Sequence, residues 1–236
     1  MSSINWPTSI EKIYVICHKE KEKDRYDELV RHFKEVNIPD SVIQFWTPIW
    51  GDQLTNDLIF NVTDPFMKRG MNPFSFKSRN LLKAEISLII NTFSALRDAV
   101  DKNYSNIIVF ESDVFLRNDF VERLHQILND VKDKTWGYIS LGEGIGTRPP
   151  NAEKSYFVPT KTYEPPHNCV FRCTDSMLFS NSYLKKIYPT LFPFHEPMDW
   201  EMNFQNMLHG GKALWADPPL VEPGTNFSRL LTTLPS

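Results

Sequence analysis

The run Ile107-Ile-Val-Phe110 constrains this chain more than any other stretch. Four consecutive apolar residues, three of them β-branched, read as a strand covered on both faces. Directly after it stand Glu111 and Asp113, separated by Ser112. In an extended chain, residues two apart point to one side, and their side chains start about 7 Å apart. That gap suits one carboxylate on a divalent metal and the other on a neighbouring hydroxyl or metal-bound water. Both ligate one ion only if the strand turns there. A buried strand ending in acids at the carboxyl edge of a sheet is where open α/β sheets place ligands. Acid-x-acid triplets are common, and taken alone this one reads more readily as ordinary polar residues closing a strand or capping the next helix.

A second apolar run, Ile13-Tyr-Val-Ile-Cys17, opens the chain in the same way. It breaks into the charged turn His18 to Arg25. A helix is then expected from about Asp24 to Val36, with Tyr26, Leu29, Val30 and Phe33 at helical spacing. Val42 to Thr47 follows as a strand, so the pattern is βαβ and the sheet is expected to be parallel. In the turn, Lys19 to Lys23 reads as a solvated charge run, while His18 and Arg25 are nucleotide-contact candidates.

Gln53 to Arg79, broken by Asn61, Asp64-Pro65, Gly70 and Asn72-Pro73, reads as a loop with short helical pieces. At its end Lys77, Arg79 and Lys83 could meet a diphosphate, or simply face solvent. Asn80 to Lys102 is the clearest helix, apolar on most faces and free of glycine and proline. Its polar residues Glu85, Asn91 and Thr92 serve either the fold or a ligand. A helix at Phe120 to Val131, a strand at Trp136 to Leu141 and a glycine loop from Gly142 and Glu143 come next. Thr147 to His167 is proline-rich and expected to wrap the surface. Then follow a strand at Val170 to Leu178, a helix at Ser180 to Tyr188, and a helix ending at His209 before Gly210-Gly211. Asp199 stands at the start of that last helix, where capping alone would account for a carboxylate. Ala213 to Ala216 is a final short strand, and an extended tail begins at Pro218.

With 236 residues, 41% hydrophobic and 13% aromatic, the simplest organisation is one domain, 1–236. Within it, two halves would span about 10–116 and about 117–236. A formal net charge of -3 and a pI near 6.1 give no electrostatic case for nucleic acid. No run approaches the ~18 apolar residues of a membrane span. The opening residues lack the basic segment and apolar core of a signal peptide. The three cysteines, Cys17, Cys169 and Cys173, have no zinc-like pairing and read as reduced thiols. Together these fit a cytoplasmic protein.

Several segments, in order, resemble glycosyltransferase family 25, the lipooligosaccharide and collagen-type sugar transferases with their large-virus relatives. The strand and arginine-bearing turn are Ile13 to Cys17 and Arg25. Lys83-Ala-Glu85-Ile-Ser87 and Asn91-Thr92 stand where the family has glycine-bearing and Ser-His elements. Glu111-Ser112-Asp113 stands for the family's acidic triplet, with serine in its middle. Met177-Leu-Phe-Ser180, Pro197-Met-Asp199 and Pro218-Pro-Leu-Val-Glu-Pro-Gly224 complete the series. No histidine follows His209, although the family pattern suggests a C-terminal metal histidine.

The resemblance implies a GT-A fold: a Rossmann-like, mixed but mainly parallel sheet flanked by helices. It implies a nucleotide-diphosphate sugar donor of UDP or GDP type, a glycan or glycoprotein acceptor, and inverting transfer. Charge on the leaving diphosphate calls for a hard cation, so Mn²⁺ or Mg²⁺ is expected. Asp113 would hold the metal, and Glu111 the metal, its water or the ribose. Asp199 is the expected base for the acceptor hydroxyl, with Asp175 and Glu201 in reserve. Cys17, His18, Arg25, Trp46, Thr47, Lys83 and Ser112 would surround the nucleotide, and Gly142 and Glu143 the sugar. Two rival readings stand beside this one. One is another metal-dependent nucleotide enzyme, a nucleotidyltransferase or phosphohydrolase, which the lack of a phosphate-cradling glycine loop disfavours. The other is a non-catalytic sugar-nucleotide or carbohydrate-binding module, which Ser112 and the missing histidine favour.

Overall fold

The structure, a computed structural model, describes residues 4–64, 80–142, 159–165, 170–171 and 173–224. The first buried run forms β1 (Ile10–Ile16), followed by α1 (Lys23–Glu35), the short β2 (Ile43–Phe45), α2 (Asn56–Val62) and α3 (Lys83–Asp101). The second run is β3 (Asn106–Glu111). After it come β4 (Val114–Leu116), α4 (Phe120–Asp130), β5 (Tyr138–Ser140), β6 (Lys161–Tyr163), β7 (Ser176–Ser180) and α5 (Asn181–Ile187). The described part closes with α6 (Met198–His209), β8 (Ala213–Asp217) and β9 (Val221–Pro223).

Seven strands make one sheet in the order β2-β1-β3-β7-β5-β8-β6. Five run one way. β7 and β6 run against their neighbours. The sheet is therefore mixed and mostly parallel, flanked by helices, and compatible with the Rossmann-like GT-A expectation. The departure from a parallel sheet in its interior is β7, which enters between β3 and β5 as an antiparallel strand. β6 lies inside the proline-rich stretch expected only to wrap the surface, and pairs at the sheet's edge with β8.

Alternation along the buried strands explains why both faces are covered. Ile13 and Val15 join Ile108 and Phe110 on one face, packed by Leu29 and Phe33 of α1 and Phe120, Leu124 and Ile127 of α4. Tyr14, Ile16, Ile107 and Val109 face the other way, onto Ile89 and Phe93 of α3, Leu184 and Ile187 of α5, and Met202 of α6. Each large side chain buried this way contributes about 1.5–3 kcal/mol. The hydrophobic effect thus fixes which way β1 and β3 face, and their carboxyl ends fall together, with Ile16 beside Glu111. Because the chain leaves β1 for β2 on one side and returns to β3 on the other, a crevice opens between the two strand ends.

Element limits differ from the sequence reading where periodicity is weak. The strand expected over Val42 to Thr47 shrinks to three residues. The one expected over Val170 to Leu178 shifts to Ser176–Ser180. The tail after Pro218 is also used: β9 pairs antiparallel with β4. Gly210 takes a left-handed conformation, φ 60°, at the end of α6, as a helix-terminating glycine does. No helix among the described residues is long and apolar enough to cross a membrane.

Candidate active site

The crevice at the ends of β1 and β3 opens into a cleft of about 630 Å³. Glu111, Ser112 and Asp113 form part of its wall, with Ile16, Glu22, Arg25, Thr47, Trp50 and Lys83 around them. The strand ends at Glu111, and Ser112 and Asp113 form a turn before β4 departs. So the chain does turn at the acids, which is the condition for both to approach one ion. Asp113 is pinned through its carbonyl, which accepts a 2.5 Å bond from the Gly224 N–H. A side chain on Gly224 would bring its Cβ within 2.8 Å of the Asp113 Cβ, so glycine lets the tail close over the turn.

The antiparallel β7 supplies a third acid. Its amino-terminal end lies at the same sheet edge as the carboxyl end of β3, and the Glu111 N–H donates to the Asp175 carbonyl at 2.9 Å. Asp175 is buried, 4% exposed. Its Oδ2 accepts from the Ser176 hydroxyl at 3.1 Å, and its Oδ1 is buried without a hydrogen-bond partner among the described residues. The Thr174 hydroxyl donates to Glu111 Oε1 at 2.6 Å. Gly142, at the end of β5, has no room for a side chain here: a Cβ would sit 2.5 Å from Asp175 Oδ2.

Burial pushes the Glu111 carboxyl up to about 7, the Thr174 hydroxyl opposes this, and the charges of Asp175, Asp113 and Asp199 push it further. Burial raises Asp175 to about 6 against the Ser176 hydroxyl and backbone N–H groups, with Asp113 adding to the rise. Burial likewise raises Asp199, opposed by the N–H of Trp200 and reinforced by Glu85. These acids share one field without a compensating cation among the causes of their shifts. Such a group of desolvated, mutually repelling carboxylates at a cleft is a candidate functional site by physical criteria.

Among the described residues no three His, Cys, Asp or Glu side chains form a group ready to hold a metal. That still fits a magnesium- or manganese-type ion, which usually takes one or two carboxylates and completes its shell with waters and substrate phosphates. The unpartnered Asp175 oxygen and the raised acids are what such a cation would relieve.

The other sequence-predicted residues divide into groups. Arg25, Thr47 and Lys83 line the main cleft with the acids. Cys17, His18 and Trp46 border a neighbouring hollow that shares Thr47 with it. Cys17 is fully buried, and its thiol is pushed up to about 12 by burial and by the Glu22 charge, against Arg25. His18 closes its own turn, its Nδ1 facing the N–H groups of Glu20 and Lys21 at 3.3 and 3.2 Å. The Trp46 indole N–H donates to Ser94 Oγ at 2.8 Å. Asp199 lies in the first turn of α6, which has no side-chain cap; its Oδ1 accepts from the Trp200 N–H at 3.0 Å, and it lies outside the lining of the cleft. Glu201 is fully buried, accepting from the N–H groups of His195 and Glu196 and from Gln205 Nε2. Glu143, Lys77 and Arg79 lie outside the described residues.

Two contributors to the cleft, Glu22 and Trp50, escaped the sequence. Glu22 sits in a run of charges that looked solvated, yet its carboxylate turns inward to Ser112. Trp50 reaches the cleft from the segment after β2. Ser87 and Asn91 of α3 hold that segment in place. Asn91 donates to the Ile49 carbonyl at 2.8 Å and accepts from its N–H at 3.2 Å, and Ser87 adds a 3.0 Å bond to the same carbonyl. Polar residues on a mostly apolar helix were the available signal for Asn91.

Comparison with known proteins now bears on this site. Over 134 residues, 56% of this chain, it is 25% identical to the human protein named inactive glycosyltransferase 25 family member 3. Over 135 residues it is 25% identical to mouse procollagen galactosyltransferase 2. The chain is similar to glycosyltransferase family 25. A bovine protein named probable inactive glycosyltransferase 25 family member 3 matches at 23% over 134 residues. These matches span 22%, 20% and 22% of the relatives' own lengths, in the order given. No family model matches the chain. The family 25 resemblance first read from the triplet and its flanking segments therefore has curated proteins behind it, at low identity over about half the chain.

Proposed function

We propose that this chain transfers a sugar from a nucleotide-diphosphate donor, UDP or GDP type, to a hydroxyl of a glycan or glycoprotein. The observation that carries the reading is the uncompensated acid group at the cleft: Glu111 and Asp113 on its wall, with Asp175 buried beside Glu111. Cleaving the sugar–phosphate bond leaves charge on a diphosphate. Bound Mn²⁺ or Mg²⁺ would stabilise that charge as a Lewis acid. Asp113 and Glu111 would hold the ion, and Asp175 Oδ1, beside Glu111, has acceptor capacity to spare. Arg25 and Lys83 bring positive charge to the same cleft, where an anionic donor would lie. Asp199, its carboxyl raised by burial, is the assigned base for the acceptor hydroxyl, since an elevated carboxylate is a better proton acceptor.

A second reading has its own support. Relatives from human and cattle carry the word inactive in their names, and Ser112 replaces an acid in the triplet. On that reading the cleft binds a sugar nucleotide without turning it over. Incubation with a panel of UDP- and GDP-sugars decides between them. Transfer predicts Mn²⁺-dependent release of UDP or GDP that drops by roughly 10²–10⁴-fold in Asp113→Asn, equivalent to several kcal/mol of lost charge stabilisation. Binding of a nucleotide sugar with no release from any donor, even with glycan acceptors present, would establish the binder instead.

A further inference from the structure

We propose that Glu22 and Ser112 are positioning residues that aim the Arg25 guanidinium at the donor's diphosphate. This deepens the nucleotide-diphosphate reading and rests on it.

The three side chains form a short relay at the cleft wall. Arg25 Nη1 donates to Ser112 Oγ at 2.8 Å, and Ser112 Oγ donates to Glu22 Oε1 at 2.7 Å. Glu22 is itself fixed, Oε2 accepting the His18 N–H at 2.8 Å. Nη1 also lies 3.5 Å from Glu22 Oε1. Ser112 is buried and the Glu22 side chain is 18% exposed, whereas that of Arg25 is 54% exposed. One edge of the guanidinium is thus tied down inside the wall while the rest faces the cleft. Among the described residues Nε and Nη2 make no hydrogen bond.

A guanidinium held by one nitrogen and open at the others presents paired donors suited to phosphate oxygens. Arg25 lines the same cleft as Asp113 and Glu111, so an anion bound there would meet the cation site and Arg25 together. Holding a long side chain in one rotamer before the ligand arrives removes an ordering cost from binding. Ser112 is neutral, so the carboxylate that holds the arginine comes from residue 22, through the hydroxyl. An acid introduced at 112 would lie directly beside Nη1 and should do the same work without Glu22.

The test measures binding of inorganic pyrophosphate, UDP and GDP to the full chain with Mn²⁺, by calorimetry, with melting temperature as a check on folding. Arg25→Ala and Glu22→Ala are expected to weaken pyrophosphate about tenfold each, the scale of one charge-assisted hydrogen bond. The double variant Glu22→Ala/Ser112→Asp is expected to recover most of that loss, which a merely structural role for Glu22 would not give. The inference is overturned if folded Glu22→Ala binds pyrophosphate as tightly as the parent, or if the double variant is folded but not rescued. It is also overturned if the losses appear with UDP or GDP but not with pyrophosphate, which would put Arg25 on the ribose or base. A parent protein that binds none of the three defeats the nucleotide-diphosphate reading itself, and the inference with it.

Discussion

Asp119 and Asp175 both sit against the sheet, and the protein treats them in opposite ways. Asp119, just ahead of α4, accepts from Arg123 Nε at 2.7 Å and Arg117 Nε at 3.2 Å. Arg123 is buried and also donates to Thr160, so this acid ties a helix to the edge of the sheet. Asp175 is more deeply buried, meets the Ser176 hydroxyl and backbone N–H groups but no cation among the described residues, and lies next to Glu111. A compensated acid is architecture. An acid left desolvated beside other acids costs stability unless a ligand or proton relieves it, and such sites persist where they serve function.

The largest expected difference between the two regions is in their response to pH. The Glu111 and Asp175 carboxyls are raised to about 7 and about 6 in the folded protein. Between their ordinary carboxylate values and these, the native state binds more protons than the unfolded chain. Stability must therefore fall as pH rises through that window, by a few kcal/mol at most for two such groups. Chemical denaturation in EDTA at about pH 5 and about pH 7.5 should show the protein less stable at the higher value. A flat or rising profile would mean the acids are compensated after all.

Neutralising one acid from each region gives a smaller and more pointed test. Asp175→Asn removes a charge that nothing pairs, so at neutral pH in EDTA it should raise stability, on the order of 1–3 kcal/mol. Asp119→Asn removes the partner of a buried arginine but is itself partly exposed, so it should lower stability by about 1–2 kcal/mol. Urea midpoints of the two variants should move in opposite directions. Movement in the same direction would erase the distinction drawn between the regions.

Much of this contrast follows from what a linear pattern can and cannot carry. Ile13 to Cys17 and Ile107 to Phe110 announce two buried strands because burial on both faces leaves a continuous apolar run. Glu111 and Asp113 stand out because they end one of them. The long helix α3 is legible for the same reason, its apolar residues unbroken by glycine or proline. Asp175 could be named as an acid, but its place beside Glu111 depends on β7 running antiparallel, which its short and interrupted apolar run does not encode. Glu22 was hidden by its neighbours: in a run of alternating charges, nothing local says which side chain turns inward. That choice is made by Ser112, ninety residues away in sequence. The short β4–β9 and β6–β8 pairings likewise rest on long-range partners rather than on their own three-residue patterns.

The central claim is that the acids at the carboxyl end of β3 hold a cation that grips a diphosphate. It is tested most directly by melting the protein with Mn²⁺, with UDP or GDP, and with both together. A ligand at about 100 times its dissociation constant adds about 2.7 kcal/mol to the folded state, an easily measured rise. The account predicts a rise with metal and nucleotide together that exceeds either alone and that vanishes in Asp113→Asn. No rise with either nucleotide, or an equal rise in Asp113→Asn, would contradict it.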